Sequence, residues 1–166
     1  LYLKALFEEY GCFKNWWLFD SFKGFNEKSI KHEQDIKSLN LFTTQVKVQY
    51  PTAESVYNLF KDYSLDNNLR VVEGFVEDTL PGIELAKLSF LHIDVDFYEP
   101  TFYCLENLYP RLSPNGWVVI DDYNVDIFNC KEAVADYRRK SSLQEPIISL
   151  GDYPAGWEKS VFNTSN

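Results

Sequence analysis

The chain has 166 residues, of which 45% are hydrophobic, so we expect a single domain over residues 1–166 with a sizeable buried core. Its formal net charge of −9 would repel a phosphate backbone, and no run of Lys and Arg offsets that charge. We therefore expect neither nucleic acid nor a membrane as a partner. Cys12, Cys104 and Cys130 are odd in number and widely spaced, which argues against a disulfide framework or a zinc site and favours a reducing, cytoplasmic location.

The chain opens inside a helical pattern, because Leu3, Leu6, Phe7 and Tyr10 share one helical face and no capping residue precedes them. The sequence also contains no Met. Both observations predict that the chain is a fragment or a processed product with further sequence upstream.

Strands and helices alternate along the chain. Apolar runs that end in an acidic residue predict strands at residues 16–20, 88–94 and 116–121, the first of them a buried parallel strand. A short strand that ends at Gly74 is predicted at residues 69–73. Helices are predicted at residues 51–60, 100–112 and 130–140 and in part of 27–50, with a turn at 113–116 and an antiparallel pair of strands at 147–150 and 158–162. This order is typical of an α/β fold with a doubly wound, mostly parallel, Rossmann-like sheet.

Carboxylates follow two neighbouring strands of this predicted sheet. Asp94 and Asp96 follow one strand, and Asp121 and Asp122 follow the next. Carboxylates gathered at one sheet edge repel one another unless they hold protons or a cation. Oxygen ligands without Cys or His suit Mg²⁺, Mn²⁺ or Ca²⁺. The alternative is that each is a solvated strand end or a helix N-cap; it is favoured for any single Asp, whereas the paired set favours a cation site.

Three further features bear on a cofactor site. Asp20 ends the first predicted strand, where a carboxylate can accept two hydrogen bonds from a ribose diol, although it would equally cap the following loop. None of the seven glycines forms a Gly-x-Gly, so the first strand and glycine loop of a Rossmann-like site would lie before Leu1. His92 lies inside a predicted strand, and we expect it to be a packed core histidine.

Six blocks of sequence carry a family resemblance. They are Phe19–Gly24, Gly74–Pro81, Ile93–Glu99, Leu105–Gly116, Ile120–Tyr123 and Cys130–Val134. In this order, from about Leu1 to Phe162, the chain resembles the macrocin O-methyltransferase (TylF-like) family. Members of that family are S-adenosylmethionine-dependent enzymes that methylate sugar hydroxyls on natural products such as macrolides and aminocoumarins.

The resemblance implies a class I methyltransferase fold, whose sheet is mostly parallel with an antiparallel last strand, and a divalent metal, Mg²⁺ or Mn²⁺. By position, Asp94, Asp121 and Asp122 match the metal ligands of the family, and Asp94 also matches the general base. The first strand and glycine loop of the family have no counterpart in this chain.

The resemblance also implies where the cofactor lies. Asp20 and Ser21 match the stretch that meets the ribose of S-adenosylmethionine, and Gly74 and Phe75 match the stretch near its adenine.

The expected function is therefore metal-dependent O-methylation of a hydroxyl on a sugar or related small molecule, with a homo-oligomer as one option for assembly. An alternative is a metal-dependent glycosyltransferase, because Asp94 and Asp96 form a DxD that would hold Mn²⁺ and a nucleotide-sugar diphosphate. A second alternative is a truncated domain that has no catalytic activity by itself.

Overall fold

The computed structural model describes residues 1–45 and 49–161. The predicted strand end at Phe162 lies outside these residues. The chain divides into two compact units: the first comprises Leu1–Phe25 and Val48–Ile83, and the second comprises Asn26–Lys47 and Glu84–Asn166. The expectation of a single domain over residues 1–166 stays a prediction.

Helices and strands alternate as predicted. Along the chain they are α1 (Tyr2–Glu9), β1 (Trp16–Asp20), α2 (Glu33–Gln45), α3 (Ala53–Asp62), β2 (Leu69–Glu73), α4 (Val76–Thr79), β3 (Leu88–Ile93), α5 (Tyr98–Leu108), β4 (Leu112–Ile120), α6 (Cys130–Lys140), β5 (Ile148–Ser149) and β6 (Ala155–Glu158), with 3-10 turns at Leu80–Gly82 and Tyr109–Arg111. None of the helices in the described residues has the length and apolar character that a membrane crossing requires.

The first unit contains β1 and β2, which pair in parallel from Trp16 opposite Leu69 to Asp20 opposite Glu73. Helix α3 begins with a capping box, in which the side chains of Thr52 and Ser55 each accept a hydrogen bond from the backbone N–H of the other residue. A small core of Phe60, Leu65 and Leu69 packs against partly buried residues of α1, β1, α3 and β2. The carboxyl ends of the two strands therefore lie side by side.

The second unit contains a four-stranded sheet in the order β3-β4-β6-β5. The pair β3 and β4 is parallel, whereas β6 runs antiparallel to both β4 and β5. The predicted closing pair is present, but its second strand begins at Ala155 rather than Glu158. This shift is possible because Gly156 has no side chain: a Cβ there would lie 2.4 Å from the Val118 carbonyl oxygen.

The turn predicted at residues 113–116 is wrong, because these residues belong to β4. The register between β3 and β4 shifts in this part of the strand, and Asn115 has a φ of 61°. Asn tolerates this left-handed conformation. Between the pairs Leu88–Leu112 and Phe90–Trp117, β4 advances five residues while β3 advances two, and β4 continues to Ile120.

Helices α5 and α6 each bury one face. The buried residues follow the i, i+3, i+4, i+7 spacing of a helix packed on one side; they are Thr101, Cys104, Leu105 and Leu108 in α5, and Cys130, Ala133, Val134 and Tyr137 in α6. This packing fixes the starts of both helices, which directly follow the loops that carry the predicted metal ligands.

Candidate metal and cofactor sites

Three predicted metal ligands lie together in the second unit. Asp94 directly follows β3, and Asp121 and Asp122 directly follow β4, whose Ile120 pairs with Ile93. The Asp121 N–H donates to the Ile93 carbonyl oxygen over 3.0 Å, so the hydrogen bonding between β3 and β4 extends to the first acidic residue after β4. Carboxylate oxygens of the three residues lie within 4.8 Å of one another. The structure thus gathers these side chains at one sheet edge, while their role as metal ligands stays a prediction.

Asp96, the second acid of the DxD, is a fourth member of this carboxylate cluster, although it is not among the metal ligands that the resemblance implies. It has a φ of 60°, a strained conformation for a residue other than Gly. Burial, a hydrogen bond with Asp122 and the charges of Asp94 and Asp121 together raise the pKa of Asp96 to about 8. In the absence of a cation, the protonated form of Asp96 is therefore favoured at neutral pH. The DxD spacing was the signal for it in the sequence.

His92 is not a core residue, so that expectation is wrong. Its side chain is 41% exposed, and its Nε2 lies 3.0 Å from Oδ1 of Asp121. The reason is the alternation of β3, in which Leu91 and Ile93 are buried and His92 points to the other face. A ring nitrogen next to a candidate ligand oxygen orients that carboxylate.

Cys130 supports the same cluster from α6. Its Sγ donates to the Asp122 carbonyl oxygen over 3.1 Å. Burial, followed by the charges of Asp122 and Asp96, raises the pKa of the Cys130 thiol to about 12. Cys130 is therefore a neutral anchor for the backbone at Asp122 and not a nucleophile.

The predicted cofactor residues lie in the first unit. Asp20 ends β1, and its Oδ1 accepts a hydrogen bond from the Phe22 N–H over 2.7 Å. The Ser21 hydroxyl donates to the Gly24 carbonyl oxygen over 2.5 Å and accepts from the Lys23 N–H over 3.1 Å. These short-range bonds fix the turn after β1 and hold an exposed carboxylate at the end of the strand.

Gly74 and Phe75 follow the neighbouring strand. The Gly74 N–H donates to the Asp20 carbonyl oxygen over 2.9 Å, which brings the two predicted stretches together. Gly74 has a φ of +139°, and a Cβ on it would lie 2.6 Å from Cγ2 of Thr79. Only glycine fits there without strain. Phe75 is the N-cap residue of α4. Asp20 belongs to the first unit, whereas the predicted metal ligands belong to the second.

The donor set of the second unit fits a hard divalent cation. Within the described residues, the one group of carboxylate, His or Cys ligands close enough to hold a metal consists of Asp94, Asp121 and Asp122. Their oxygen atoms suit Mg²⁺ or Mn²⁺ better than a soft metal. After burial, the negative charges of Asp122, Asp94 and Asp121 raise the pKa of Asp96, and a bound cation would offset these charges.

Solved structures define the fold class. The O-methyltransferase NovP matches with a TM-score of 0.85 and 29% identity, over 95% of this chain and 65% of that protein. The calicheamicin methyltransferase CalS11 matches with a TM-score of 0.59 and 21% identity, over 94% of this chain and 65% of that one. The fold is therefore the Rossmann-like fold of class I methyltransferases, as the resemblance predicted.

The sequence comparisons give the family. The family model of macrocin O-methyltransferase (TylF) matches residues 1–159, so the chain belongs to this family. A tetracenomycin-C-derivative 4'-O-methyltransferase of Streptomyces olivaceus is 32% identical over 97% of this chain. The mycinamicin III 3''-O-methyltransferase of Micromonospora griseorubida is 33% identical over 87% of it. The chain spans 61% and 57% of the lengths of these two relatives.

Proposed function

We propose that the protein is an S-adenosylmethionine-dependent, divalent-metal-dependent O-methyltransferase that acts on a hydroxyl of a sugar or a related small molecule. The observation that carries this proposal is the carboxylate cluster of Asp94, Asp121 and Asp122 in a chain of this family. The relatives support the substrate class, because both are named O-methyltransferases and the name of the first describes a rhamnosyl-bearing compound.

The reaction requires removal of one proton from a weakly acidic hydroxyl. S-adenosylmethionine, when bound, would supply the methyl group of its sulfonium to the hydroxyl oxygen, with loss of the S–CH₃ bond and of the hydroxyl proton to a base. A divalent cation bound at this site would stabilise the negative charge that develops on the acceptor oxygen. Asp94, Asp121 and Asp122 would hold this cation, and His92 would keep the Asp121 carboxylate in place.

Asp94 is the proposed general base, as the resemblance implies. Asp96 is a second candidate once a cation is bound, because a positive charge in the cluster would lower its raised pKa and free its carboxylate, which is hydrogen-bonded to Asp122, to accept the proton. The two candidates differ in exposure, since Asp94 is exposed and Asp96 is half-buried. A pH–rate profile of Asp94→Asn and Asp96→Asn separates them: loss of the base removes the rising limb of the profile as well as lowering the rate.

In the first unit, Asp20 would accept hydrogen bonds from the ribose hydroxyls of the cofactor. The turn at Ser21 and the glycine at position 74 would shape the backbone around it, and Phe75 would contact the adenine. The exposed carboxylate of Asp20 at a parallel strand end supports this assignment.

The test is methyl transfer from labelled S-adenosylmethionine to a panel of glycosides that carry neighbouring free hydroxyls. We expect incorporation that stops with EDTA and returns with Mg²⁺ or Mn²⁺. Transfer that is unaffected by EDTA would exclude the metal. Transfer of a sugar from a UDP-sugar, assayed in parallel, would favour the glycosyltransferase alternative. Cofactor binding without any transfer would favour the non-catalytic alternative.

A further inference from the structure

A buried carboxylate outside the proposed metal site contacts the starts of two helices. Asp35 lies in the first turn of α2 and is fully buried. Its Oδ2 accepts a hydrogen bond from the Tyr98 N–H over 2.7 Å. Its Oδ1 accepts from both the N–H and the side-chain amide of Asn129, each over 3.1 Å.

The two partners of Asp35 are informative because of where they lie. Tyr98 is the first residue of α5, immediately after the loop of Asp94 and Asp96. Asn129 is the N-cap residue of α6, at the end of the loop that starts with Asp121. Helix N-termini have free N–H donors and a positive dipole end. The single carboxylate of Asp35 therefore accepts a backbone N–H at the start of each of the two helices. The bonds of Asp35 thus join the two loops that carry the carboxylate cluster.

Other side chains of α2 contact one of these loops. Gln34 donates to the Asp126 carbonyl oxygen over 3.0 Å, and the Ser38 hydroxyl donates to that of Ile127 over 2.6 Å. Both acceptors belong to the loop between β4 and α6. The hydrogen bonds of Asp35 reach both loops, whereas these bonds of Gln34 and Ser38 go to the loop between β4 and α6. This difference provides matched variants.

Stability alone is a weak reason for this arrangement. Burial raises the pKa of Asp35 despite the hydrogen bonds from Tyr98 and Asn129, so desolvation of the carboxylate outweighs their effect. Buried charges generally add little net stability, although removing one partner of a buried charged group is destabilising because the other partner is left uncompensated. What the carboxylate does provide is a fixed distance between two backbone segments that are 31 residues apart in sequence, Tyr98 and Asn129.

We propose that Asp35 is a positioning residue, which fixes the loop after β3 and the loop after β4 relative to each other and thereby sets the spacing of the carboxylate cluster. Its effect on metal affinity rests on the proposed function, whereas its effect on the loops does not. The experiment therefore measures both.

The variant Asp35→Asn keeps the shape of the side chain but replaces one acceptor oxygen by an amide donor, which cannot accept from an N–H. In the metal-free full chain, we expect faster amide hydrogen exchange at residues 96–98 and 128–130 together. Mn²⁺ affinity, measured by electron paramagnetic resonance, should fall on the order of tenfold, as for other groups that orient metal ligands. The control Ser38→Ala should loosen residues 126–128 and change Mn²⁺ affinity less than about twofold.

A second pair of variants covers the case in which Asp35→Asn does not fold. Tyr98→Pro removes the N–H that Asp35 accepts, at a helix position where proline is tolerated, and Phe97 has a φ of −90° and a ψ of 161° that suit a residue before proline. Tyr98→Ala removes the ring and keeps the N–H. We expect Tyr98→Pro to accelerate exchange at 128–130 more than Tyr98→Ala does.

Unchanged exchange in both loops of a folded Asp35→Asn, or equal effects of Tyr98→Pro and Tyr98→Ala, would overturn the proposal. Loss of Mn²⁺ affinity in Ser38→Ala equal to that in Asp35→Asn would also overturn it, because general destabilisation would then be the cause. If the unmodified protein binds no Mn²⁺, the proposed metal site is wrong, and the exchange data still decide the role of Asp35.

Discussion

The two units hold their acidic residues in opposite ways. In the first unit, the carboxylate of Asp20 accepts a hydrogen bond from the N–H two residues further along the chain. In the second unit, four carboxylates converge, and burial together with the charges of its neighbours raises the pKa of one of them, Asp96, to about 8. The first site is built by a local turn, whereas the second depends on strand register and on contacts distant in sequence. The first is suited to accept hydrogen bonds and the second to accept positive charge.

Removing the charge of Asp20 should have the largest effect on the difference between the two units. Asp20→Asn keeps an oxygen that accepts from Phe22 and loses the carboxylate that would bind the ribose hydroxyls. Hydrogen bonds to charged groups contribute about 1.5–3 kcal/mol, so affinity for S-adenosylmethionine should fall by about 10–100-fold. Calorimetry measures this, and Mn²⁺ binding is the control that should not change. Equal loss of both ligands would contradict separate roles for the two units.

The pH dependence of the free energy of unfolding tests whether the carboxylate cluster of the second unit raises the pKa of Asp96. The pKa of Asp96 is raised from 3.8 to about 8 in the folded protein. The folded state therefore binds a proton more tightly than the unfolded state does, and this stabilisation is complete below about pH 4 and is lost as the pH rises towards 8.

In the absence of metal, Tm should thus fall between pH 5 and 8, by about 2–4 °C for each 1 kcal/mol lost. Asp96→Asn should flatten this slope, and saturating Mg²⁺ should raise Tm more at pH 8 than at pH 6. A slope that is the same in Asp96→Asn would show that Asp96 is not the group responsible.

Gly74 tests whether backbone shape matters in the first unit. Gly74→Ala places a Cβ against Thr79 at a φ of +139°, and such strain costs about 1–3 kcal/mol. We expect lower stability and weaker cofactor binding. Gly82→Ala is the matched control, because nothing lies within 4 Å of its Cβ and its φ is not positive. Thermal denaturation of both variants should separate them; similar Tm values would contradict the assigned role of Gly74.

The smallest expected effect is that of Ser21→Ala. It removes the bonds to the Gly24 carbonyl oxygen and the Lys23 N–H in the turn after β1. Each such bond contributes about 0.5–1.5 kcal/mol, and the turn is solvent-accessible, so cofactor affinity should fall only a few-fold. Ser29→Ala, which loses one similar bond to the Asn26 carbonyl oxygen, is the control in the other unit. A loss as large as that of Asp20→Asn would mean that the hydroxyl itself contacts the cofactor.

Much of the fold could be predicted because its signals are local. Apolar runs that end in Asp20, Asp94 and Asp121 marked the strands and their carboxyl ends, and the helical spacing of Ala133, Val134 and Tyr137 marked the buried face of α6. The convergence of Asp94, Asp121 and Asp122 followed from parallel strands that are neighbours in the sheet.

The features that could not be predicted depend on distant contacts or on local conformations that several residues allow. Asp35 reaches Tyr98 and Asn129, which are 63 and 94 residues away, and nothing in the sequence near Asp35 marks this. The position of His92 depends on which face of β3 is covered. Pro, Asn and Gly are typical turn residues, so the sequence around Asn115 predicted a turn, although these residues lie in β4 at a shift of register.

The most direct test of the proposed metal site is calorimetric titration of the full chain with Mg²⁺. We predict binding of one Mg²⁺ per chain and an affinity at least about tenfold lower in Asp121→Asn, which removes one ligand charge and the partner of His92. Glu84→Gln, which removes one negative charge outside the cluster, should bind Mg²⁺ as the unmodified chain does. Equal affinity of the unmodified chain and Asp121→Asn would contradict the metal site.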